Sequence, residues 1–218
     1  MSTVTVRNLR CEYGKNPIGI DQTPRFSWVI DAKKRGAGQK GYRLRVFRKE
    51  ADICLWDSGE VESKQSVNVL YEGAALESST AYRWTLQVRD LADAWTEQEE
   101  ATFETGILDP ALWKATWIRG GNLLRKEFCL NKMVQESRVY ISGLGYYELH
   151  MNGQKVGDHV LDPAWTDFEQ KAFYATYDVT DLLRAGGNAI GVMLGNGRYS
   201  PNDSTVAKNW HPLKKYGS

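Results

Sequence analysis

Apolar and polar side chains alternate along several short segments in the first half of the chain. The alternation is clearest over residues 82–89, where the even positions are apolar and the odd positions are polar. A period of two is typical of a β-strand that buries one face, and helical periodicity is almost absent before residue 106. We therefore predict a β-sandwich over residues 1–106. Its strands are expected at Val4–Leu9, Arg25–Ile30, Tyr42–Arg48, Ser66–Leu70, Tyr82–Asp90 and Ala101–Thr105.

The residues that lead into this alternating strand are similar to a segment of fibronectin type III domains. In those domains a leucine packs inward, and a tyrosine hydroxyl binds nearby backbone to form the tyrosine corner. Leu76 and Tyr82 occupy these two positions. Trp28 stands where such domains bury a tryptophan, and Trp84 lies on the apolar side of its strand. The pattern therefore predicts structural roles for all four residues, and it indicates a fold rather than a function.

The second half of the chain shows strands joined by tight turns. Asn152-Gly153 predicts a two-residue hairpin after the strand Tyr147–Met151, because both central positions of a type I′ turn need a positive φ. Thr180 is predicted to be the N-cap of a short helical turn. The turn is expected to end at Gly186-Gly187-Asn188, and a buried strand is expected over Ala189–Leu194.

The strand pattern breaks near Asp109-Pro110, where the proline favours a turn. We therefore expect a fibronectin type III-like domain over residues 1–106, a short linker over residues 107–114, and a second domain over residues 115–218. With 218 residues, the chain is long enough for two domains of about 100 residues each.

Charge and composition argue against several classes of function. Lys and Arg total 28 and Asp and Glu total 27, with no basic run, so no nucleic-acid partner is expected. No segment approaches the ~20 apolar residues of a membrane helix, so no membrane partner is expected either. The first residues lack the charged and apolar regions of a secretory signal, which favours a cytoplasmic protein.

Cysteine and histidine spacing predicts neither a metal site nor another cofactor. The three cysteines, Cys11, Cys54 and Cys129, fit no zinc spacing and no paired-cysteine motif. They are expected to be reduced and mostly buried. The three histidines of the chain also lack the spacing of metal ligands, and we expect them at the surface or in turns.

Six short motifs occur in order along the chain and carry a resemblance to a known family. They are Asn16–Asp21, Pro24–Trp28, Trp56–Gly59, Phe103–Gly106, Trp113–Ile118 and Arg125–Phe128, and a dense run of strands and turns follows over residues 139–199. Together they resemble the N-terminal region of bacterial α-L-rhamnosidases of glycoside hydrolase family 78. The resemblance implies an all-β chain, in which a fibronectin type III-like β-sandwich is followed by a jelly-roll β-sandwich.

The resemblance also implies which parts of the reaction lie elsewhere. In this family the acid and base carboxylates belong to a later (α/α)₆ barrel, which hydrolyses terminal α-L-rhamnosides with inversion. No catalytic residue is therefore assigned here, the chain is expected to be inactive alone, and its partner is the C-terminal barrel. The family's jelly roll is larger than the segment after Ala115, so we expect an incomplete second domain that favours self-association through uncovered strands.

Candidate chemistry falls in the loops of the second domain. A cluster of carboxylates could supply an acid and a base, but we interpret its members as turn residues: Asp158, Asp162, Asp167 and Glu169. Aromatic and polar residues could instead contact rhamnose-containing glycans, and the candidates are Trp165, Asn196, Arg198, Tyr199 and Trp210. Alternatively, these aromatics pack the sandwich or face the catalytic domain. Two function classes stay open: a non-catalytic part of a rhamnosidase, and a freestanding carbohydrate-binding or protein-interaction module.

Overall fold

The computed structural model describes residues 2–32, 34–168 and 170–195, and nearly all regular structure in these ranges is β-strand. The all-β prediction is therefore confirmed. The chain divides into two compact units, with the division between Ala115 and Thr116. Within the described ranges, no helix has the length and apolar character needed to cross a membrane.

The first unit is a sandwich of two antiparallel sheets, in orders β1-β2-β5 and β4-β3-β6-β7. Five of the predicted strands are present with bounds within three residues of those predicted, the predicted strand at 66–70 is reduced to two residues, and β4 was not predicted. The strands are β1 (Val4–Cys11), β2 (Arg25–Ala32), β3 (Gln39–Arg48), β4 (Ile53–Asp57), β5 (Val69–Leu70), β6 (Ala81–Asp90) and β7 (Glu99–Glu104). A 3₁₀ turn at Pro110–Leu112 follows.

Aromatic side chains fill the space between these two sheets. Trp84 is fully buried and lies 4.7 Å from Phe26, measured between ring centroids. Trp28 is also buried, and its indole N–H donates to the Gln39 side chain at 2.9 Å. Leu76 is half-buried against the same core. These contacts give the first unit its own apolar interior, the main source of its stability.

Tyr82 fixes the chain segment that precedes its own strand. Its ring is buried and stacks on Phe103 with 5.1 Å between centroids. Its hydroxyl accepts a hydrogen bond from the backbone N–H of Glu77 at 2.8 Å, which is the contact of a tyrosine corner. The side chain therefore joins the core to the loop between β5 and β6.

The carboxylate of Asp90 ties the start of the chain to the end of β6. Asp90 is fully buried, and its oxygens accept hydrogen bonds from the Thr3 N–H at 2.7 Å and the Thr3 hydroxyl at 2.8 Å. They also accept from the Ser2 hydroxyl at 3.1 Å and from the N–H groups of Ala92 and Ala94, each at 2.9 Å. These bonds, led by that from the Thr3 N–H, hold the pKa of Asp90 far below its ordinary value.

The segment predicted as a linker is partly bound to the first unit. The backbone N–H groups of Leu108 and Asp109 both donate to the Ser78 hydroxyl, at 2.9 and 3.1 Å. The Asp109 side chain then accepts from the N–H of Ala111 at the start of the 3₁₀ turn. The first unit accordingly extends to Ala115.

The second unit contains a four-stranded antiparallel sheet in the order β11-β10-β13-β8 and a two-stranded sheet of β12 and β9. Its strands are β8 (Leu123–Leu130), β9 (Arg138–Ser142), β10 (Tyr146–Met151), β11 (Gln154–Lys155), β12 (Tyr174–Asp178) and β13 (Gly186–Gly195). The predicted hairpin is confirmed, because Asn152 and Gly153 have φ of 53° and 84° and join paired strands. The apolar faces of β10 and β13 cover a core that includes Leu149 and Val179.

Two asparagines connect three segments of the second unit. Asn188 is buried, and its side chain binds the N–H and the carbonyl of Arg184 at 3.1 and 2.7 Å. Asn152 donates to Asn188 and to the Leu182 carbonyl, each at 2.8 Å, and accepts from the Ala189 N–H at 2.8 Å. The hairpin turn, the 3₁₀ turn and the start of β13 are therefore joined by one hydrogen-bonded network.

Several local predictions were wrong. The strand over Ala189–Leu194 is half-buried or exposed rather than buried, and Gly186-Gly187-Asn188 lies inside β13, because the helical turn already ends at Leu182. The 3₁₀ turn Thr180–Leu182 has Val179 at its N-cap, and the hydroxyl of Thr180 instead accepts from the Ser137 N–H at 2.9 Å. Cys54 and Cys129 are exposed, because each lies on the solvent-facing side of its strand, and only Cys11 is buried. Burial raises the pKa of the Cys11 thiol and keeps it protonated.

Candidate functional site

The loop over residues 157–173, which joins β11 to β12, carries most of the predicted site residues that the structure describes. Trp165 lies in this loop with 56% of its surface exposed. Asp158 and Asp167 are also exposed in the loop. The other carbohydrate-contact candidates, Asn196, Arg198, Tyr199 and Trp210, lie outside the described residues, as does Glu169. The observed part of the candidate site is therefore this one loop.

Asp162 anchors the loop to the strands of the second unit. Its carbonyl accepts from the Tyr147 N–H at 3.0 Å, which adds an isolated bridge near the start of β10. Its carboxylate accepts from the Tyr177 hydroxyl at 2.5 Å and lies 2.7 Å from Nδ1 of His159. One residue thus connects the loop to β10, to β12 and to its own preceding turn.

The two tyrosines at this anchor act as permanent donors. Burial raises the pKa of Tyr147 to about 12. Burial, and then the hydrogen bond to Asp162, raise the pKa of Tyr177 well above its ordinary value. Because both hydroxyls keep their protons at every physiological pH, Tyr177 remains a donor to Asp162 and Tyr147 remains a donor to the Ile141 carbonyl. Both are therefore unsuited to exchange a proton with a substrate.

Two aspartates of the loop form structural contacts. Asp162 is engaged by Tyr177 and His159. The Asp167 carbonyl accepts from the N–H groups of Gln170 and Lys171, at 2.9 and 3.0 Å, and so closes a turn. In the part of the chain that the structure describes, no three His, Cys, Asp or Glu side chains are grouped to hold a metal ion. The contacts of Asp162 and Asp167 therefore help to hold the loop in place.

The structure also reveals apolar side chains that sequence reasoning missed. Val160 and Leu161 are 74% and 66% exposed, next to the anchored Asp162. Leu161 has a φ of 59°, a left-handed conformation that is unusual for leucine. At the other end of the loop, the Lys171 ammonium lies 5.0 Å from the Phe173 ring centroid. The only sequence signal for this exposed pair was two apolar residues between polar ones. An ordinary turn accounts for that pattern equally well.

Both units match known domain families and known proteins. Residues 6–109 match the family "Rha78A-like, N-terminal immunoglobulin domain", and residues 132–217 match "Alpha-L-rhamnosidase N-terminal domain". An α-L-rhamnosidase of Formosa agariphila is 37% identical over 87% of this chain and 24% of its own length. A second α-L-rhamnosidase of the same organism is 32% identical over 90% of this chain and 24% of its own length.

Solved structures give the same result for the fold. The α-L-rhamnosidase from Dictyoglumus thermophilum superposes with a TM-score of 0.83 at 36% identity, over 89% of this chain and 25% of that one. The enzyme from Aspergillus terreus superposes with a TM-score of 0.75 at 32% identity, over 90% of this chain and 24% of that one. An all-β chain with an immunoglobulin-like unit followed by a second β unit is thus an architecture found within larger α-L-rhamnosidases. This chain corresponds to the N-terminal region of the family 78 α-L-rhamnosidases, and it spans about a quarter of the length of the relatives it matches.

Proposed function

We propose that this chain is the non-catalytic N-terminal portion of an α-L-rhamnosidase, which supports the catalytic barrel and shapes access of terminal α-L-rhamnosides to it. The observation that carries the proposal is similarity to α-L-rhamnosidases across both units, restricted to one quarter of those proteins. The described loop agrees with it, because its Asp162 carboxylate is used to hold the fold. The parent enzyme is proposed to be cytoplasmic, in keeping with the three unpaired thiols of the present chain.

Hydrolysis of an aryl α-L-rhamnoside tests the proposal. The purified 218-residue chain is expected to give no turnover, even at high protein concentration. A fusion to the remaining portion of the Formosa agariphila relative is expected to be active, and more stable to heat than that remaining portion alone. Turnover by the isolated chain would contradict the non-catalytic assignment. Equal stability of the remaining portion with and without this chain would contradict the supporting role.

A freestanding carbohydrate-binding module is the second candidate, and the exposure of Trp165 favours it. An aromatic ring at 56% exposure can stack on the C–H face of a sugar ring. Calorimetric titration with L-rhamnose measures this binding directly. Trp165→Ala is expected to abolish any heat of binding, whereas Trp117→Ala, at a comparably exposed tryptophan of the same unit, is expected to leave it unchanged. Absence of binding by the unaltered chain would rule this candidate out.

A further inference from the structure

Val160 and Leu161 form an exposed apolar pair that is held in place rather than left loose. The backbone of Leu161 has a φ of 59°, which costs a branched residue energy unless neighbouring contacts enforce it. Those contacts are present in the next residue, since Asp162 is bound by the Tyr147 N–H and the Tyr177 hydroxyl. The strands therefore impose the conformation that turns both apolar side chains outward.

Such an arrangement is unfavourable in isolation and has a physical explanation if the pair is normally covered. Exposed apolar side chains gain free energy on burial, and a loop already fixed in position loses little entropy when it binds. Backbone strain of this kind is concentrated at binding and recognition sites. The exposed polar residues that precede the pair, Asp158 and His159, would form the rim of the contact.

The size and chemistry of the pair indicate the kind of partner. Branched aliphatic side chains offer no flat face to a sugar ring, but they pack well against protein. Complete burial of two such side chains removes roughly 200 Å² of apolar surface from water. A stable dimer of separate molecules needs ~800 Å² from each partner. A patch this small is sufficient when the partner is tethered in the same polypeptide, because the effective concentration is then high.

We propose that Val160 and Leu161 are a docking contact for the polypeptide that follows this region in α-L-rhamnosidases. The inference rests on the proposed function, and it names the surface through which the support is exerted. About three quarters of each matched relative lies outside the part that this chain covers, so a covalently attached partner of sufficient size is available.

Hydrogen exchange on residues 158–162 tests the inference. The 218-residue chain is compared with its fusion to the remaining portion of the Formosa agariphila relative. Exchange of these amides is expected to slow at least tenfold in the fusion. If the fusion is insoluble, the separately produced remaining portion is added to the chain, and the same amides are followed.

A pair of matched variants separates docking from general stability. Leu161→Asn removes the apolar side chain but keeps a residue that accepts the left-handed backbone, and Leu91→Asn makes the same change at a 52% exposed leucine of the first unit. In the isolated chain, both variants are expected to keep the unaltered melting temperature. In the fusion, only Leu161→Asn is expected to lower it by several degrees and to restore fast exchange at residues 158–162.

The possible outcomes distinguish this inference from the proposed function. A fusion that hydrolyses rhamnosides but exchanges at 158–162 as fast as the isolated chain overturns the docking contact and leaves the proposed function standing. An inactive fusion with slowed exchange retains the contact and counts against the function. Protection that grows with the concentration of the isolated chain, or that requires added L-rhamnose, identifies a second copy or a glycan as the occupant and also overturns the inference.

Discussion

Replacing Asp90 with asparagine should destabilise the first unit more than any comparable change of a surface carboxylate. The carboxylate accepts five hydrogen bonds, three of them from the first residues of the chain and two from the turn after β6. A hydrogen bond to a charged group contributes about 1.5–3 kcal/mol. Asparagine keeps one acceptor oxygen but places an N–H₂ group against donors, so we expect a loss of about 3 kcal/mol at pH 7.

The loss should depend on pH in a defined direction. The pKa of Asp90 is lowered in the folded chain, whereas in the unfolded chain it lies near the ordinary value of about 3.9. The carboxylate therefore stabilises the fold fully above roughly pH 5, and this contribution is lost as pH falls through the unfolded value towards the folded one. The gap in stability between the parent chain and Asp90→Asn should accordingly narrow below about pH 4.

Urea unfolding followed by circular dichroism at pH 7 and at pH 3 measures both effects. Asp93→Asn is the matched control, since Asp93 lies in the same turn, is exposed, and pairs with Lys40 at the surface. Such exposed pairs contribute about 0–1 kcal/mol. The reasoning is refuted if the two variants lose equal stability at pH 7, or if the cost of Asp90→Asn is the same at both pH values.

Three further substitutions test other contacts. Tyr82→Phe should cost about 1–2 kcal/mol in urea unfolding because it leaves a backbone N–H without its acceptor, whereas Tyr13→Phe, at an exposed ring, should cost almost nothing. Asn188→Ala should cost about 2–3 kcal/mol, since its buried network loses several partners at once; a loss below 1 kcal/mol would contradict that account. Asp162→Asn should speed proteolytic cleavage of its loop, while Asp158→Asn should not; equal cleavage of the two would show that the loop is held by other contacts.

Strand positions could be predicted from the sequence wherever apolar and polar residues alternate. Apolar and polar residues alternate over residues 82–89 of β6, and the Asn152-Gly153 turn requires a backbone that few residue pairs accept, so both were predicted correctly. The strand β4 was missed because most of its residues are exposed and carry no clear period of two. For the same reason Cys54, which lies in β4, was expected to be buried but is exposed.

Contacts between segments distant in the chain could not be predicted from such patterns. Asp90 binds residues 87 and 88 positions earlier in the chain, and the alternation of β6 places it on the inward face without identifying these partners. The role of Asp162 likewise depends on Tyr177, which reaches it only because β12 is adjacent in the fold. Asp90 and Asp162 both lie next to turns. The sequence therefore identifies the turns but not the groups that bind the two carboxylates.

The distribution of tryptophans has a practical consequence for measuring each unit separately. Trp28 and Trp84 are buried in the first unit, at 2% and 0% exposure, whereas the two tryptophans described in the second unit, Trp117 and Trp165, are 65% and 56% exposed. Indole emission shifts to longer wavelength when a ring passes from an apolar interior into water, and rings already in water change little. Intrinsic fluorescence therefore reports mainly on the melting of the immunoglobulin-like unit, which makes it an internal optical label for one half of the chain.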